Sequence, residues 1–402
     1  MRKTITIGDL GTIITGKTPP TTNKNYYGDY AVFIKPTDIS EQCKFTYETE
    51  EMYSKLAAEK YESSLIPKGA ICVPCIGTIG TKMTMAPCDC YTNQSINSIV
   101  CNENYDNEYV YYLIKNFLPG LKAYNLGTAS GREYVSKSNF EKIELVAEQD
   151  KTIQKKIGEF LSRYDSLIEN YQKQIKLLEE AAQRLYKEWF VDLRFPGHEN
   201  TKIIDGVPEG WKKKKAIDFF EMSIGKTPPR AEKQWFTDGK EGVPWVSISD
   251  MKDVTYLLQT SEGLTKEACE KHNVRIVDEG TVLLSFKLTV GRVSIAGMNV
   301  CTNEAIAHFN KNGDDWREYT LLYLRNYNFD TLGNTSGISK AVNSTIVKNM
   351  PFLMPSGKVL DAFSNVAKPL FQKIKNLSFQ LRLLTEARDR LLPKLMSGEI
   401  EI

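Results

Sequence analysis

The sequence lacks the patterns that mark several large classes of protein. Its 402 residues contain no apolar run of the roughly 18 residues that a membrane-spanning helix needs. The first residues, MRKTITIGDLGTII, have no apolar core like that of a signal peptide. Eight cysteines without an export signal fit a reducing compartment. We therefore expect a cytoplasmic protein with no membrane partner.

Motifs of nucleotide and nucleophile chemistry are also missing. Neither GxxxxGK[ST] nor GxGxxG occurs, and no serine or cysteine lies in a recognisable nucleophile motif. The three histidines, His198, His272 and His308, do not have metal-ligand spacing. We predict no catalytic residue and a non-catalytic chain. A formal charge of +2 gives no general argument for nucleic acid, so any basic surface must be local.

One long amphipathic pattern is present. Residues 149–190 contain no proline, and apolar residues recur every three or four positions from Ile153 to Trp189. This heptad seam, with one stutter between Leu167 and Ile175, predicts a helix about 60 Å long. Because an isolated amphipathic helix cannot bury its apolar stripe, the helix requires a partner.

The sequence also repeats itself once. The pentapeptide GKTPP occurs at residues 16–20 and again at 225–229. Four further segments recur in the same order: 33–39 with 245–251, 66–80 with 277–291, 92–96 with 302–306, and 127–131 with 333–337. The offsets vary only between 206 and 212 residues. Such a narrow range is typical of a duplication followed by small loop changes.

The repeat supplies the partner helix. Shifting the seam by 206 residues places a second one between Val359 and Leu395. Pro369 predicts either a kink there or a helix that begins near Lys368. The simplest arrangement is an antiparallel pair within one chain, and the alternative is pairing with helices of other subunits. The residues expected in the helix pair are Ile157, Tyr164, Tyr171, Ile175, Leu178, Leu185, Phe363, Leu370, Leu377, Leu381, Leu384 and Leu391.

The remaining residues predict two similar domains. Both repeats contain short β-type runs broken by Gly, Pro and Asn, together with one helical patch each, at 108–116 and 316–326. We predict an α+β fold in which two long helices, paired as an antiparallel coiled coil with a pseudo-two-fold axis, join the domains. The predicted segments are a first domain (1–148), a first long helix (149–191), a linker (192–211), a second domain (212–357), and a second long helix with a C-terminal tail (358–402).

Two local clusters have competing interpretations. Four cysteines have the spacing of a zinc site: Cys72, Cys75, Cys88 and Cys90. Their equivalents in the second repeat are large apolar residues: Leu283, Phe286, Met298 and Val300. Core positions are therefore favoured, and we expect no metal. The four lysines at 212–215 are either a solvated start of the second domain or a patch that faces phosphates.

Small polar and basic residues recur on the loops of both repeats. Such side chains bond phosphates and base edges. Each loop alone is a weak signal that a solvated turn explains better, whereas the parallel placement in both repeats strengthens the case for binding. The candidate DNA-binding residues of the first repeat are Lys17, Thr18, Lys24, Lys35, Thr78, Thr81, Lys82, Asn93, Arg132, Tyr134 and Lys137. Those of the second repeat are Lys226, Thr227, Arg230, Ser247, Lys287, Thr289, Arg292, Asn303, Ser339 and Lys340.

The chain resembles the specificity subunit of type I restriction–modification systems over its whole length. The resemblance rests on the two-fold repeat, the two GKTPP loops, the helix QKKIGEFLSRYDSLIENYQKQIKLLEEAAQRLYKEWF and the closing LLPKLMSGEIEI. It implies that each domain is a target recognition domain for one half of a bipartite site in double-stranded DNA. It also implies that the helices dock methyltransferase subunits, two in number, and it leaves open a further restriction or translocase subunit.

The same resemblance assigns the cofactors to the partners. S-adenosylmethionine, ATP and Mg²⁺ are expected on other subunits, with none in this chain. The helix length is expected to set the gap between the two half-sites. Two other classes remain compatible with the residues: a structural adaptor that acts only through its helices, and an enzyme with an unrecognised site.

Overall fold

The computed structural model describes residues 2–125, 127, 133–313, 316–332 and 342–402. The chain forms two compact units: unit 1 contains Met1–Asn170 and Arg382–Ile402, and unit 2 contains Tyr171–Leu381. Both boundaries fall inside long helices, so each unit combines one repeated domain with part of both helices. The predicted division into five segments stays a prediction. Among the described residues, no helix is long and apolar enough to cross a membrane.

Unit 1 is built mainly from short strands. Its elements before the first long helix are β1 (Arg2–Thr6), β2 (Gly11–Thr15), β3 (Tyr27–Gly28), β4 (Ala31–Ile34), β5 (Met52–Tyr53), α1 (Lys55–Lys60), β6 (Ile71–Pro74), β7 (Thr84–Met85), β8 (Tyr91–Thr92), β9 (Ile96–Cys101), α2 (Asn107–Phe117), α3 (Lys137–Glu141) and β10 (Glu144–Glu148). The strands form two four-stranded sheets, ordered β2-β9-β6-β7 and β3-β5-β4-β8, and β1 pairs with β10. The β4–β8 pair is parallel, and the other pairs are antiparallel.

The long helix α4 (Lys151–Tyr186) continues as a π-helical turn, Lys187–Val191. The elements that follow it are β11 (Ile203–Ile204), β12 (Val207–Pro208), β13 (Lys212–Lys215), β14 (Glu221–Ile224), β15 (Phe236–Asp238), β16 (Val243–Val246), β17 (Tyr256–Leu257), β18 (Glu262–Leu264), α5 (Lys266–Lys271), β19 (Val282–Ser285), β20 (Val293–Ala296), β21 (Cys301–Thr302), β22 (Ile306–Asn310), α6 (Arg317–Arg325), α7 (Ser344–Lys348), β23 (Pro351–Met354) and α8 (Gly357–Ser397). The larger sheets of unit 2 are ordered β14-β22-β19-β20-β17 and β15-β18-β16-β21, and β13 pairs with β23.

The two units share one topology. The order β2-β9-β6-β7 matches β14-β22-β19-β20, and the parallel pair β4–β8 matches the parallel pair β16–β21. Strand β17 has its counterpart in the parallel bridge between Phe45 and Met85. The repeated sequence is therefore a repeated structure, and the predicted α+β fold is confirmed. The lysines 212–215 form the exposed strand β13, which starts the repeated domain of unit 2.

Helices α2 and α6 show why the two helical patches fold alike. Asp106 caps α2 by accepting a hydrogen bond from the backbone of Tyr109. Tyr109 and its equivalent Tyr319 are buried, and the apolar residues around them join the main core of each unit. Helix α2 buries six consecutive residues, 109–114, and α6 buries residues 318–322 and Leu324, so both helices lie within the core of their unit.

The two long helices pair within the chain. In unit 1, Ile157 and Leu161 near the start of α4 share a core with Leu392 and Leu395 near the end of α8. In unit 2, the rings of Phe190, at the end of the first helix, and Phe363, near the start of α8, have centroids 4.9 Å apart. This confirms an antiparallel intramolecular pair. Helix α8 continues through Pro369, so a start near Lys368 is wrong.

The buried stripe of the pair differs in detail from the predicted seam. Of the twelve predicted packing residues, Ile157, Phe363 and Leu377 are fully buried, and the other nine are half-buried. Leu167 of the seam is exposed, whereas its neighbour Ile168 is buried. The heptad pattern corresponds to 3.5 residues per turn, whereas an ordinary α-helix has about 3.6 residues per turn. Along a long helix this difference moves the buried face from one residue to its neighbour in the sequence.

The cysteines are mostly core residues. Cys72, Cys75 and Cys90 are buried, which confirms that they are core residues. Cys88 is exposed, so the core interpretation is wrong for this residue. Burial raises the pKa of the Cys72 and Cys75 thiols to about 12, which keeps them protonated. No group of three or more His, Cys, Asp or Glu side chains in the described part of the chain is arranged to hold a metal ion.

Candidate nucleic-acid interface

In unit 1, the GKTPP loop is held against the turn that follows β8. The backbone N–H of Gly16 donates to the carbonyl of Ile96 (3.1 Å), and that of Lys17 donates to the carbonyl of Thr92 (2.9 Å). A Cβ on Gly16 would lie 2.1 Å from the Thr92 carbonyl oxygen, so only glycine fits. The hydroxyl of Thr18 donates to the side-chain oxygen of Gln94. Segments distant in sequence are thus joined into one polar surface.

Unit 2 builds the same arrangement. The backbone N–H of Gly225 donates to the carbonyl of Ile306 (3.1 Å), and that of Lys226 donates to the carbonyl of Thr302 (2.8 Å). A Cβ on Gly225 would lie 2.0 Å from the Thr302 hydroxyl oxygen. The Thr227 hydroxyl donates to the Glu304 carboxylate. We call each loop, together with the turn that it contacts, a loop pair: residues 16–20 with 92–96 in unit 1, and residues 225–229 with 302–306 in unit 2.

The two loop pairs differ in charge. Gln94 is neutral, whereas its equivalent Glu304 is acidic. Burial raises the pKa of Glu304, but hydrogen bonds from Thr227 and the backbone, with the positive charges of Lys287 and Arg230, outweigh it and lower the pKa. Glu304 is therefore ionised near neutral pH. The loop pair of unit 2 therefore carries a carboxylate at this position, whereas the loop pair of unit 1 carries the neutral amide of Gln94.

Several predicted basic residues are already paired within the protein. Arg230 donates two hydrogen bonds to the Glu262 carboxylate (2.8 and 2.9 Å), and its guanidinium lies 4.5 Å from the Trp245 ring centroid. The Lys35 ammonium forms ion pairs with Glu50 (2.7 Å) and Glu51 (3.1 Å). Although burial lowers the pKa of Lys35, these carboxylates raise it above its usual value. These ion pairs tie both side chains to neighbouring segments of their own units.

Four other candidates also contact residues of their own unit. The Ser247 hydroxyl donates to the Asp250 carboxylate (2.6 Å), and Arg292 donates to the carbonyl of Ile248 (2.7 Å). Lys137 forms an exposed ion pair with Glu141 at 3.6 Å. Tyr134 pairs with Ile76 in an isolated bridge, which brings it to the turn that contains Thr78.

The other candidates are at least partly accessible. Exposed are Lys17, Lys24, Thr78, Thr81, Lys226, Lys287 and Thr289; half-buried are Thr18, Lys82, Asn93, Thr227 and Asn303. Arg132, Ser339 and Lys340 lie outside the described residues. All candidate site residues stay predictions, since accessibility alone does not show a contact with DNA.

Leu288 is a surface residue that the sequence reasoning missed. It follows Lys287 at a loop tip, its side chain is 97% exposed, and its backbone has φ of 60°. Its equivalent is Gly77, which has φ of 83°. A left-handed backbone is unfavourable for leucine, so the residue keeps an apolar side chain in water at a cost in strain. The sequence did contain a signal for this residue, because the repeat aligns Leu288 with Gly77 in a Gly-rich turn.

The helix pair carries an exposed apolar feature on each helix. Leu177 on α4 is 55% exposed, and Leu383 on α8 is 45% exposed. The two leucines are separated by the same 206-residue offset as the helix repeat. The duplication has therefore produced two equivalent apolar surface points, one in each unit.

These features define a duplicated α+β protein in which each unit combines a polar loop pair with part of an antiparallel helix pair. The family model described as type I restriction modification DNA specificity domain matches residues 2–180 and 208–376. The chain therefore belongs to this family, and the resemblance seen in the sequence is confirmed.

Individual relatives agree with the family. The chain is 27% identical to the type I restriction enzyme MjaIX specificity subunit of Methanocaldococcus jannaschii, over 98% of this chain and 93% of that protein. It is 23% identical to the type I restriction enzyme HindI specificity subunit of Haemophilus influenzae, over 62% of this chain and 68% of that protein. The crystal structure of the type I restriction-modification system S subunit from M. genitalium shares the fold, with a TM-score of 0.61 at 14% identity, covering 98% and 96% of the two chains.

Proposed function

We propose that this chain is the non-catalytic DNA-reading subunit of a type I restriction–modification or methyltransferase complex. Each repeated domain reads one half of a bipartite site in double-stranded DNA. The observation that carries this proposal is the loop pair, which both units build with the same backbone hydrogen bonds but with different side chains. A shared frame with different side chains suits two half-sites of different sequence.

The two kinds of side chain on the loop pair have different roles. The exposed lysines Lys17, Lys24 and Lys226 supply phosphate contacts, which position the domain without reading sequence. The hydroxyls and amides of Thr18, Asn93 and Gln94 offer the donors and acceptors that base edges require. A chain of nearly neutral charge is compatible with this role, because partner subunits supply further phosphate attraction.

The paired helices provide the surface for the partners. Leu177 and Leu383 present the same side chain at equivalent positions, which supports docking of two copies of one methyltransferase subunit. S-adenosylmethionine, ATP and Mg²⁺ belong to the partners in this proposal, and a restriction or translocase subunit is a further partner where the system cleaves DNA. In this proposal the length of the paired helices α4 and α8 sets the number of base pairs between the two half-sites.

The test is reconstitution with the cognate methyltransferase, followed by sequencing of the methylated sites. Lys17→Ala with Thr18→Ala should relax or weaken recognition of one half-site only. Lys226→Ala with Thr227→Ala should affect the other. Each lost phosphate contact should also lower the salt slope of binding by about one. Lys3→Ala, at an exposed lysine on β1, is the matched control and should leave methylation unchanged.

Methylation that persists at the same sites after removal of this chain would refute the proposal. An adaptor that acts only through its helices predicts that both loop variants behave like Lys3→Ala. The family match does not favour that alternative.

A further inference from the structure

A buried ion pair joins the two long helices in unit 1. Arg388 of α8 donates from Nη1 to Oδ1 of Asp165 on α4 at 2.6 Å. The two residues are only 3% (Asp165) and 5% (Arg388) exposed. Tyr112 of α2 donates its hydroxyl to the other carboxylate oxygen at 2.6 Å. Both oxygens of Asp165 are therefore bonded, as a buried carboxylate requires.

The rest of the surroundings also fit this pair. Arg388 donates from Nε (2.9 Å) and Nη2 (2.8 Å) to Asp389, the exposed residue next to it. The Lys115 ammonium lies 4.0 Å from Asp165. Burial lowers the pKa of Arg388, but Asp165 and Asp389 outweigh it and raise the pKa above its usual value. The Arg388 guanidinium thus bonds Asp165 across the helix pair and Asp389 on its own helix.

The equivalent place in unit 2 is apolar. The 206-residue offset relates Asp165 to Phe371 and Arg388 to Ala182, and the repeat of α2 and α6 relates Tyr112 to Leu322. Phe371, Ala182 and Leu322 are all buried in the main core of unit 2. The helix pair is thus charged at one place and apolar at the place related to it by the repeat.

This asymmetry matters because the chain is a duplication. Because α4 and α8 are repeats of one another, α4 of one chain can pair with α4 of a second chain in the same register in which it pairs with α8. The same holds for α8. Pairing of α4 with α4 would place Asp165 opposite Ala182, and pairing of α8 with α8 would place Arg388 opposite Phe371. Either pairing removes the counter-charge on the facing helix. Asp165 would keep only Lys115, at 4.0 Å, and Arg388 would keep only its neighbour Asp389. A buried charge that loses its partner in this way is strongly unfavourable.

We propose that Asp165 and Arg388 select the pairing of α4 with α8 and reject the pairing of either helix with the same helix of a second copy. An apolar pair such as Phe371–Ala182 would pack equally well in both arrangements and select neither. The buried ion pair therefore acts as a partner-selecting contact, a role in which buried polar groups of paired helices are best attested.

The test uses the full-length chain with two different affinity tags, co-expressed and purified through one tag. Asp165→Phe, Arg388→Ala and Tyr112→Leu together copy the apolar set of unit 2. This triple variant should fold but exchange helices, so that recovery of the second tag and the dimer fraction by light scattering rise at least ten-fold. The ten-fold threshold corresponds to a change of about 1.4 kcal/mol in the free energy of association.

Two further variants make the result decisive. Arg388→Met alone leaves Asp165 without the guanidinium in both pairings, so it should lower the unfolding midpoint and also raise the recovery of the second tag. Arg184→Met removes an exposed arginine that pairs with Glu180 at 3.8 Å, and it should change neither readout. The proposal is wrong if the folded triple variant exchanges tags no more than the wild type does.

Discussion

His308 is a buried titratable residue whose ionisation should affect the stability of unit 2. Its ring nitrogens lie 2.7 Å from the hydroxyls of Ser223 and Thr302. Burial, with a contribution from the charge of Arg275, lowers the pKa from 6.5 to about 4. As the pH falls below 6.5, the unfolded chain takes up the proton before the folded chain does. The free energy of unfolding should therefore fall between pH 6.5 and about 4, by about 1.4 kcal/mol per pH unit.

The variant His308→Ser, which copies Ser98 of the first repeat, isolates this effect. It should lose part of the decline in stability between pH 7 and pH 5. All five tryptophans lie in unit 2, so tryptophan fluorescence in urea reports the unfolding of that unit. His198→Ser, at a half-exposed histidine, is the control and should keep the wild-type decline. An identical decline in His308→Ser would contradict the assignment.

Leu288 allows stability and DNA binding to be separated. Leu288→Gly should relieve the left-handed backbone and leave the chain as stable as the wild type or more stable by up to about 1 kcal/mol. The same change should weaken DNA binding, because an exposed apolar side chain beside Lys287 can contact bases or insert between them. Affinity for a target duplex, measured by fluorescence anisotropy of the reconstituted complex, tests this prediction.

Two comparison variants separate the side chain from the backbone. Leu288→Ala should weaken DNA binding without the gain in stability, because the backbone strain remains. Val290→Ala removes a less exposed apolar side chain from the same loop and should bind nearly as the wild type does. Unchanged affinity in both Leu288 variants would exclude a contact with DNA.

At the scale of elements, the sequence predicted those whose evidence is local and periodic. The helical patches 108–116 and 316–326 match α2 and α6 within about two residues, and the short β-type runs fall on strands of both units. The loop pair could not be predicted, because hydrogen bonds from Gly16 and Lys17 to residues more than seventy positions away leave no local pattern. The Asp165–Arg388 pair was hidden for the same reason, since a charged residue in a seam does not reveal its partner.

Pro369 gives a prediction for a single helix. Proline in a helix interior removes one backbone hydrogen bond and clashes with the preceding turn, yet α8 continues through it. Pro369→Ala restores the N–H and should raise the free energy of unfolding of unit 2 by about 1 to 3 kcal/mol. The urea midpoint from tryptophan fluorescence measures it. Asn365→Ala, at the exposed residue one turn earlier, is the control and should shift the midpoint much less. A lower midpoint in Pro369→Ala would show that the surrounding structure requires the proline.

At the scale of the whole molecule, the duplication predicts that the two domains can be exchanged separately. Replacing residues 1–148 with the same segment of another family member should change one half-site and leave the other intact. Replacing residues 212–357 should do the reverse. Sequencing of the methylated sites in cells that carry each chimera measures both half-sites at once.

The structure adds a condition that decides which donors can succeed. The first domain is bonded to its helices through Tyr112 with Asp165, and through Lys44, which pairs with Glu108 and donates to Ser162 of α4 at 2.9 Å. A donor domain without the tyrosine and the lysine–glutamate pair would leave Asp165 incompletely bonded in the interior, and such a chimera should be destabilised. A donor that keeps these three residues should transfer its half-site without loss of stability. If such a chimera is stable but changes both half-sites or neither, the domains do not read DNA independently.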